Sequence, residues 1–117
     1  NVVFLGKQKD MGNWFQIADC LILPSRNEGL GSVLLEAMEA GTPVIGTSVG
    51  GIPDIIKDQT TGLLIPPSLA NAILRLKTEP QLRNDLSYHA SEFVRTLSID
   101  KMAEKYIQLY QEILKRK

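Results

Sequence analysis

Apolar residues fall in two kinds of block along this chain. Four blocks are short and continuous: Val2-Val3-Phe4-Leu5 ended by Gly6, Cys20-Leu21-Ile22-Leu23 stopped by Pro24, Pro43 to Thr47, and Leu63-Leu64-Ile65 closed by Pro66-Pro67. Short apolar runs bounded by glycine or proline predict strands buried on both faces. Between them lie helix signals. Met11 to Ala18 is a short helical stretch, and Gly31 to Ala40 is a longer one, with Gly41 where a left-handed cap residue belongs. Pro53 to Lys57 opens with a proline, which suits a first helical turn. The remainder shows helical spacing throughout: Leu69, Ala72, Ile73 and Leu76, then Leu82, Leu86, Ala90 and Phe93. Ile99, Met102, Tyr106, Leu109 and Ile113 form a third stripe behind Ser98 as N-cap. Strands alternating with helices predict an α/β fold, a parallel sheet with flanking helices and a helical C-terminus. Ligands of such sheets bind at the carboxyl ends of the strands, so the informative loops follow Leu5, Leu23, Thr47 and Ile65.

Composition narrows the class. The chain has 117 residues, about one domain, with 44% hydrophobic and 22% charged residues, ordinary values for a globular protein. Lys plus Arg and Asp plus Glu balance at 13 each, which argues against nucleic acid as a partner, since that normally brings a basic excess. The one cysteine, Cys20, has no internal disulfide partner and suits a reducing, cytoplasmic setting. No apolar run approaches the roughly 20 residues that span a bilayer, and no signal peptide is visible. The first residue is Asn1, not Met, so the chain reads as a processed, truncated or excised piece.

The richest chemistry lies after the second strand, in Pro24-Ser25-Arg26-Asn27-Glu28-Gly29-Leu30-Gly31-Ser32. A helix starting near Gly31 offers unpaired N–H groups and a positive dipole end, an anion site suited to phosphate. Gly29 and Gly31 let a ligand approach the backbone, although two glycines also serve any tight strand-to-helix turn. Glu28 accepts hydroxyl hydrogen bonds if the ligand carries sugar, or else partners the helix dipole. Glu36 lies five residues into the helix, about 7–8 Å along its axis, at the edge of the apolar face. Glu28 and Glu36 can thus hold two ends of one elongated ligand, and the alternative for Glu36 is a solvated flank. Gly50-Gly51 reads as a turn, Trp14-Phe15 and Cys20 as packing, and His89 as a surface residue; Arg26 is either a phosphate contact or an exposed loop cation. No His/Cys/Asp set has metal-ligand spacing, and with one histidine no Ser/His/Asp arrangement stands out.

These motifs together resemble the retaining GT-B glycosyltransferases of family 4, also called group 1. Glu28 and Glu36 match the E-x7-E motif. Ala18-Asp19, Leu23-Pro24-Ser25, Glu28-Gly29-Leu30-Gly31, Leu35-Glu36-Ala37-Met38, Gly41-Thr42-Pro43-Val44-Ile45, Gly50-Gly51-Ile52-Pro53, Thr61-Gly62-Leu63-Leu64 and the Tyr106 to Leu114 stretch fall in the family's order. The resemblance covers essentially the whole chain. It implies that residues 1–117 are part of the C-terminal, donor-binding domain of a GT-B fold, with a Rossmann-like sheet. It also implies transfer of a hexose-type sugar from a nucleotide diphosphate donor to an acceptor, with the anomeric configuration kept and with no metal or other cofactor. In that scheme Glu28 contacts hydroxyls of the transferred sugar and is the catalytic residue. Glu36 binds the ribose, Gly29, Leu30, Gly31 and Ser32 cradle the diphosphate, and Gly6, Lys7 and Gln8 lie near the nucleobase.

The match has gaps. The family's donor domain begins two strands earlier, in a segment whose Arg and Lys neutralise the diphosphate, and no counterpart occurs here. The acceptor-binding amino-terminal domain, through which membrane association usually arises, is also absent. In the order 3-2-1-4-5-6 the first run here is strand 3 and the second is strand 4, so a gap separates them. The expectation is a sheet that either pairs these two runs or self-associates through exposed edges. The second reading of function is a noncatalytic nucleotide or nucleotide-sugar-binding fragment, inactive in isolation. A nicotinamide-dependent oxidoreductase is disfavoured by the lack of G-x-G-x-x-G after the first strand. The sugar, base and acceptor are not specified.

Overall fold

A computed structural model describes residues 1–117. Its elements are α1 (Met11–Ile17), β1 (Leu21–Leu23), α2 (Ser32–Glu39), β2 (Val44–Thr47), α3 (Ile52–Ile55), β3 (Leu63–Ile65), α4 (Leu69–Thr78), α5 (Pro80–Arg95) and α6 (Ile99–Lys115). The three strands form one parallel sheet in the order β1-β2-β3, with Leu21 opposite Val44 and Ile45 opposite Leu63.

Successive strand residues point to opposite faces, and the core divides accordingly. Val44 belongs to one cluster with Phe15, Leu34, Ala37, Met38, Ile52 and Ile56. Its neighbour Ile45 belongs to the other, with Leu63, Ile65, Ala72, Leu76 and Leu86. Helix α5 serves both layers, giving Leu86 to one and Ala90 to the other. The continuous apolar runs of β2 and β3 follow from this two-sided burial. The buried hydroxyls are paired: Thr42 donates to the Phe15 carbonyl at 2.6 Å, and Thr61 to that of Ile55 at 3.1 Å.

Helix boundaries have local causes. Asp10, Ser68 and Ser98 accept from the amides of Asn13, Asn71 and Lys101, capping α1, α4 and α6. The C-terminus of α2 closes in a Schellman motif: Gly41 sits at φ 81°, its N–H donates to Met38, and the Thr42 N–H donates to Ala37.

Two expectations need correction. Val2–Leu5 is not a strand: these residues lie outside the sheet, with side chains 48–95% exposed. Apolar composition makes a strand only where a neighbour completes the ladder and a layer covers the face, and no element of the 117 residues does either. Nor does the sheet close through pairing of this run with Leu21–Leu23; β1 pairs only with β2. The third helical stripe does form a helix, but α6 buries none of its residues. It extends the molecule to 62 × 31 × 28 Å with a radius of gyration of 16.6 Å, against roughly 13 Å for a compact chain of this length.

Candidate functional site

The carboxyl ends of β1 and β2 carry two loops that meet. The first, Pro24 to Gly31, leads into α2. Gly31 is the N-cap of α2 at φ 77°, a left-handed conformation that side chains resist, and it contributes no side-chain cap. A Cβ there would rest against the Leu34, Leu23 and Ile52 side chains at 3.3–3.5 Å, so it is the backbone conformation, more than lack of space, that favours glycine. With no capping side chain, the Ser32 and Val33 amides are left to a ligand or water at the positive end of the helix, while the Leu34 N–H donates to the Gly31 carbonyl at 2.9 Å.

Glu28 sits half-buried beside this helix end. Its Oε2 accepts from the Ser25 hydroxyl at 3.1 Å, and its Oε1 accepts from the Gly29 N–H at 3.2 Å. The carboxylate therefore has a fixed direction and is not a loose surface group. Gly29, Leu30 and Ser32 are exposed around it, which leaves backbone accessible between Glu28 and α2. Glu36 is exposed four residues into α2, about 6 Å along the axis from Ser32. It lines two clefts: one of about 690 Å³ toward Ser91, Arg95 and Ser98, and one of about 380 Å³ toward Gly12, Phe15 and Gln16 of α1.

The third expected group, Gly6 to Gln8, stands apart from the sheet. Gly6 turns the chain at φ 63°, and Lys7 is exposed. The Gln8 amide donates to the Leu5 carbonyl at 2.7 Å, and its Oε1 accepts from the Trp14 indole at 3.2 Å. This segment is thus tied to α1, and α1 in turn packs on α2. Glu28 to Ser32 and Glu36 are brought together on one loop and one helix, while Gly6 to Gln8 reach them only through α1.

Sequence reasoning passed over Ser25. Its signal was present as a hydroxyl three residues before Glu28, the spacing at which a turn places two side chains together. Trp14 departs from its reading as packing: it is exposed, with its indole on Gln8. His89 is exposed, Phe15 is buried in the core and Arg26 is exposed without an ion pair. Cys20 is half-buried at the amino end of β1; burial, and then the nearby Asp19 charge, push its thiol pKa up. No three His, Cys, Asp or Glu side chains gather in a metal-binding group. No helix is long and apolar enough to cross a membrane.

A parallel three-stranded sheet whose β1 loop feeds an uncapped helix N-terminus defines a Rossmann-like α/β module. The family model for glycosyl transferases group 1 matches residues 1–93, and the chain belongs to that family. It is 34% identical over 110 residues to a D-inositol 3-phosphate glycosyltransferase of Saccharomonospora viridis, an alignment covering 91% of this chain and 26% of the relative. Anabaena Alr3699/HepE, solved in complex with UDP and glucose, superposes with a TM-score of 0.79 at 26% identity, covering 99% of this chain and 32% of that one. The crystallised C-terminal domain of the group 1 protein LpcC from Francisella tularensis gives a TM-score of 0.70 at 28% identity, over 81% of this chain and 51% of that domain. The chain spans about a quarter of the length of curated relatives that it matches.

Proposed function

We propose that residues 1–117 form part of the C-terminal, donor-binding domain of a retaining glycosyltransferase, and that they bind a nucleotide diphosphate sugar at the β1–α2 rim. The observation that carries this reading is the oriented Glu28 carboxylate beside the uncapped N-terminus of α2, with Glu36 further along the same helix. An anion site flanked by a fixed carboxylate suits a ligand that joins phosphates to hydroxyl-bearing sugars. Glu28 accepts hydroxyls of the transferred, hexose-type sugar, and Glu36 those of the ribose. The backbone from Gly29 to Ser32 holds the diphosphate. Its negative charge grows as the glycosidic bond breaks, and preorganised N–H donors favour that state over the ground state. The scheme asks for no metal: the amides and the helix end stabilise part of the charge, and the Arg and Lys that neutralise the diphosphate are assigned to the remainder of the protein. The UDP and glucose bound to Alr3699/HepE and the likeness to half of the LpcC C-terminal domain support it.

The acceptor-binding wall of the cleft is assigned to the remainder of the protein. The 117-residue chain accordingly binds donor without turning it over. A ligand-observed NMR screen of UDP, GDP, ADP and their sugar conjugates tests this. One nucleotide series is expected to bind, and Glu36→Ala to weaken it by about 1–3 kcal/mol, the effect of losing a hydrogen bond to a charged group. Equal binding by the wild type and Glu36→Ala contradicts the ribose assignment, and no binding at millimolar ligand contradicts donor capture by this chain.

A further inference from the structure

The loop after β2 touches the Glu28 loop at several points, and no role in the donor scheme above explains the contacts. Thr47, the last residue of β2, donates its hydroxyl to the Ser25 carbonyl at 2.6 Å. Ser25 in turn donates to the Glu28 carboxylate. Two residues beyond Val49, the Gly51 N–H donates to the Gly29 carbonyl at 2.7 Å. Gly50, at φ 54°, lies so close that a Cβ would overlap the Glu28 carbonyl oxygen. A Cβ on Gly51 would overlap the Gly29 carbonyl oxygen. Backbone is therefore held on both sides of Glu28, by Thr47 at Ser25 and by Gly51 at Gly29. The two glycines are needed for more than a turn, since any larger residue would push the loops apart.

We infer that Thr47 and Ser25, with the Gly50-Gly51 backbone as a stop, are positioning residues that aim the Glu28 carboxylate at the sugar end of the donor. The inference rests on the donor-binding reading for its consequence, but the tie itself is a property of the free protein. Ser25 acts directly on the carboxylate. Thr47 acts through Ser25, by fixing the backbone from which that hydroxyl projects. Neither residue touches the nucleotide in this scheme, so their loss is felt at the sugar and not at the base or ribose.

The test uses the 117-residue chain labelled with 13C and 15N. In the free protein Thr47→Val shifts the Glu28 side-chain carboxyl resonance and the Gly29 amide. Thr47→Ser keeps the hydroxyl and returns both toward their wild-type positions. In titrations, Thr47→Val and Ser25→Ala weaken UDP-glucose by about ten-fold, the effect of one lost hydrogen bond to a charged group, and UDP by less than two-fold. A Glu28 carboxyl resonance unmoved by Thr47→Val overturns the positioning role. Equal losses of both ligands also overturn it, because they report general loop damage. Shifted free-protein resonances, with neither ligand bound by the wild type, sustain the tie and overturn the donor reading instead. Gly50→Ala serves as a second variant: if folded, it moves the same two resonances.

Discussion

At the scale of single residues, packing and backbone conformation set the consequences of substitution. Leu34 is fully buried between β1, β2 and α3. Leu34→Ala is expected to cost about 2–5 kcal/mol, as a core leucine truncation does, read by urea unfolding. Gly46 is a different case. A Cβ there would lie 2.9 Å from both Ile52 and Ile56 side chains. Gly46→Ala is therefore expected to destabilise by about 1–3 kcal/mol through overpacking, and an unchanged urea midpoint would show that the isoleucines yield. Cys20 gives a pH-dependent readout. Its thiol pKa is raised, chiefly by burial, so the reactive thiolate forms later than in an unfolded chain. Alkylation of the folded protein should be slower than that of the urea-unfolded protein near neutral pH, and the gap should narrow as pH rises through the folded pKa. The sign for stability is the same: the contribution is full below the unfolded pKa and lost as pH rises through the folded one. Faster alkylation of the folded form would refute the burial argument.

At the scale of elements, α2 shows what a sequence does and does not disclose. Its end was legible because Gly41 solves a local problem, a left-handed residue after the last turn, and local problems leave local signatures. Gly41→Ala forces a Cβ into that conformation and is expected to lower stability by about 1–2 kcal/mol. In a domain of this size that is a fall in Tm of several degrees by calorimetry. The strands β2 and β3 were legible for a related reason: two-sided burial demands unbroken apolar runs, whereas β1, at the sheet edge, carries such a run but is only half-buried. Val2–Leu5 has such a run and no strand, because pairing depends on a neighbour that composition does not reveal. The candidate site divides the same way. Glu28, Gly31 and Glu36 stood out from spacing on one loop and helix. The contact of Gly50 and Gly51 with Glu28 and Gly29 spans more than twenty residues of sequence, and Thr47 reaches Ser25 over a similar span, so neither has a periodic signature.

At the scale of the whole molecule, α6 stands out from an otherwise two-layered body. Ile99, Met102, Tyr106, Leu109 and Ile113 are 45–78% exposed, so the helix draws almost nothing from the core. Removal of residues 98–117 is expected to change the unfolding free energy of the rest by less than about 1 kcal/mol, since surface changes away from packed features stay small. A larger loss would place α6 against the core in solution. The same geometry puts the loops of β1 and β2 at one end of the sheet and the cavity beside Cys20, Lys77 and Arg83 near the other.

That polarity separates a donor bound at the β1–α2 rim from one bound at the opposite end of the sheet. Amide chemical shifts of the 15N-labelled chain, followed as UDP-glucose is added, map where the donor sits. Donor binding at the β1–α2 rim gives saturable shifts concentrated at Gly29 to Val33 and around Glu36, with smaller ones at Gly6 to Gln8 and none around Lys77 and Arg83. Shifts centred on the Cys20 end of the sheet, or no shifts at any residue, would contradict it.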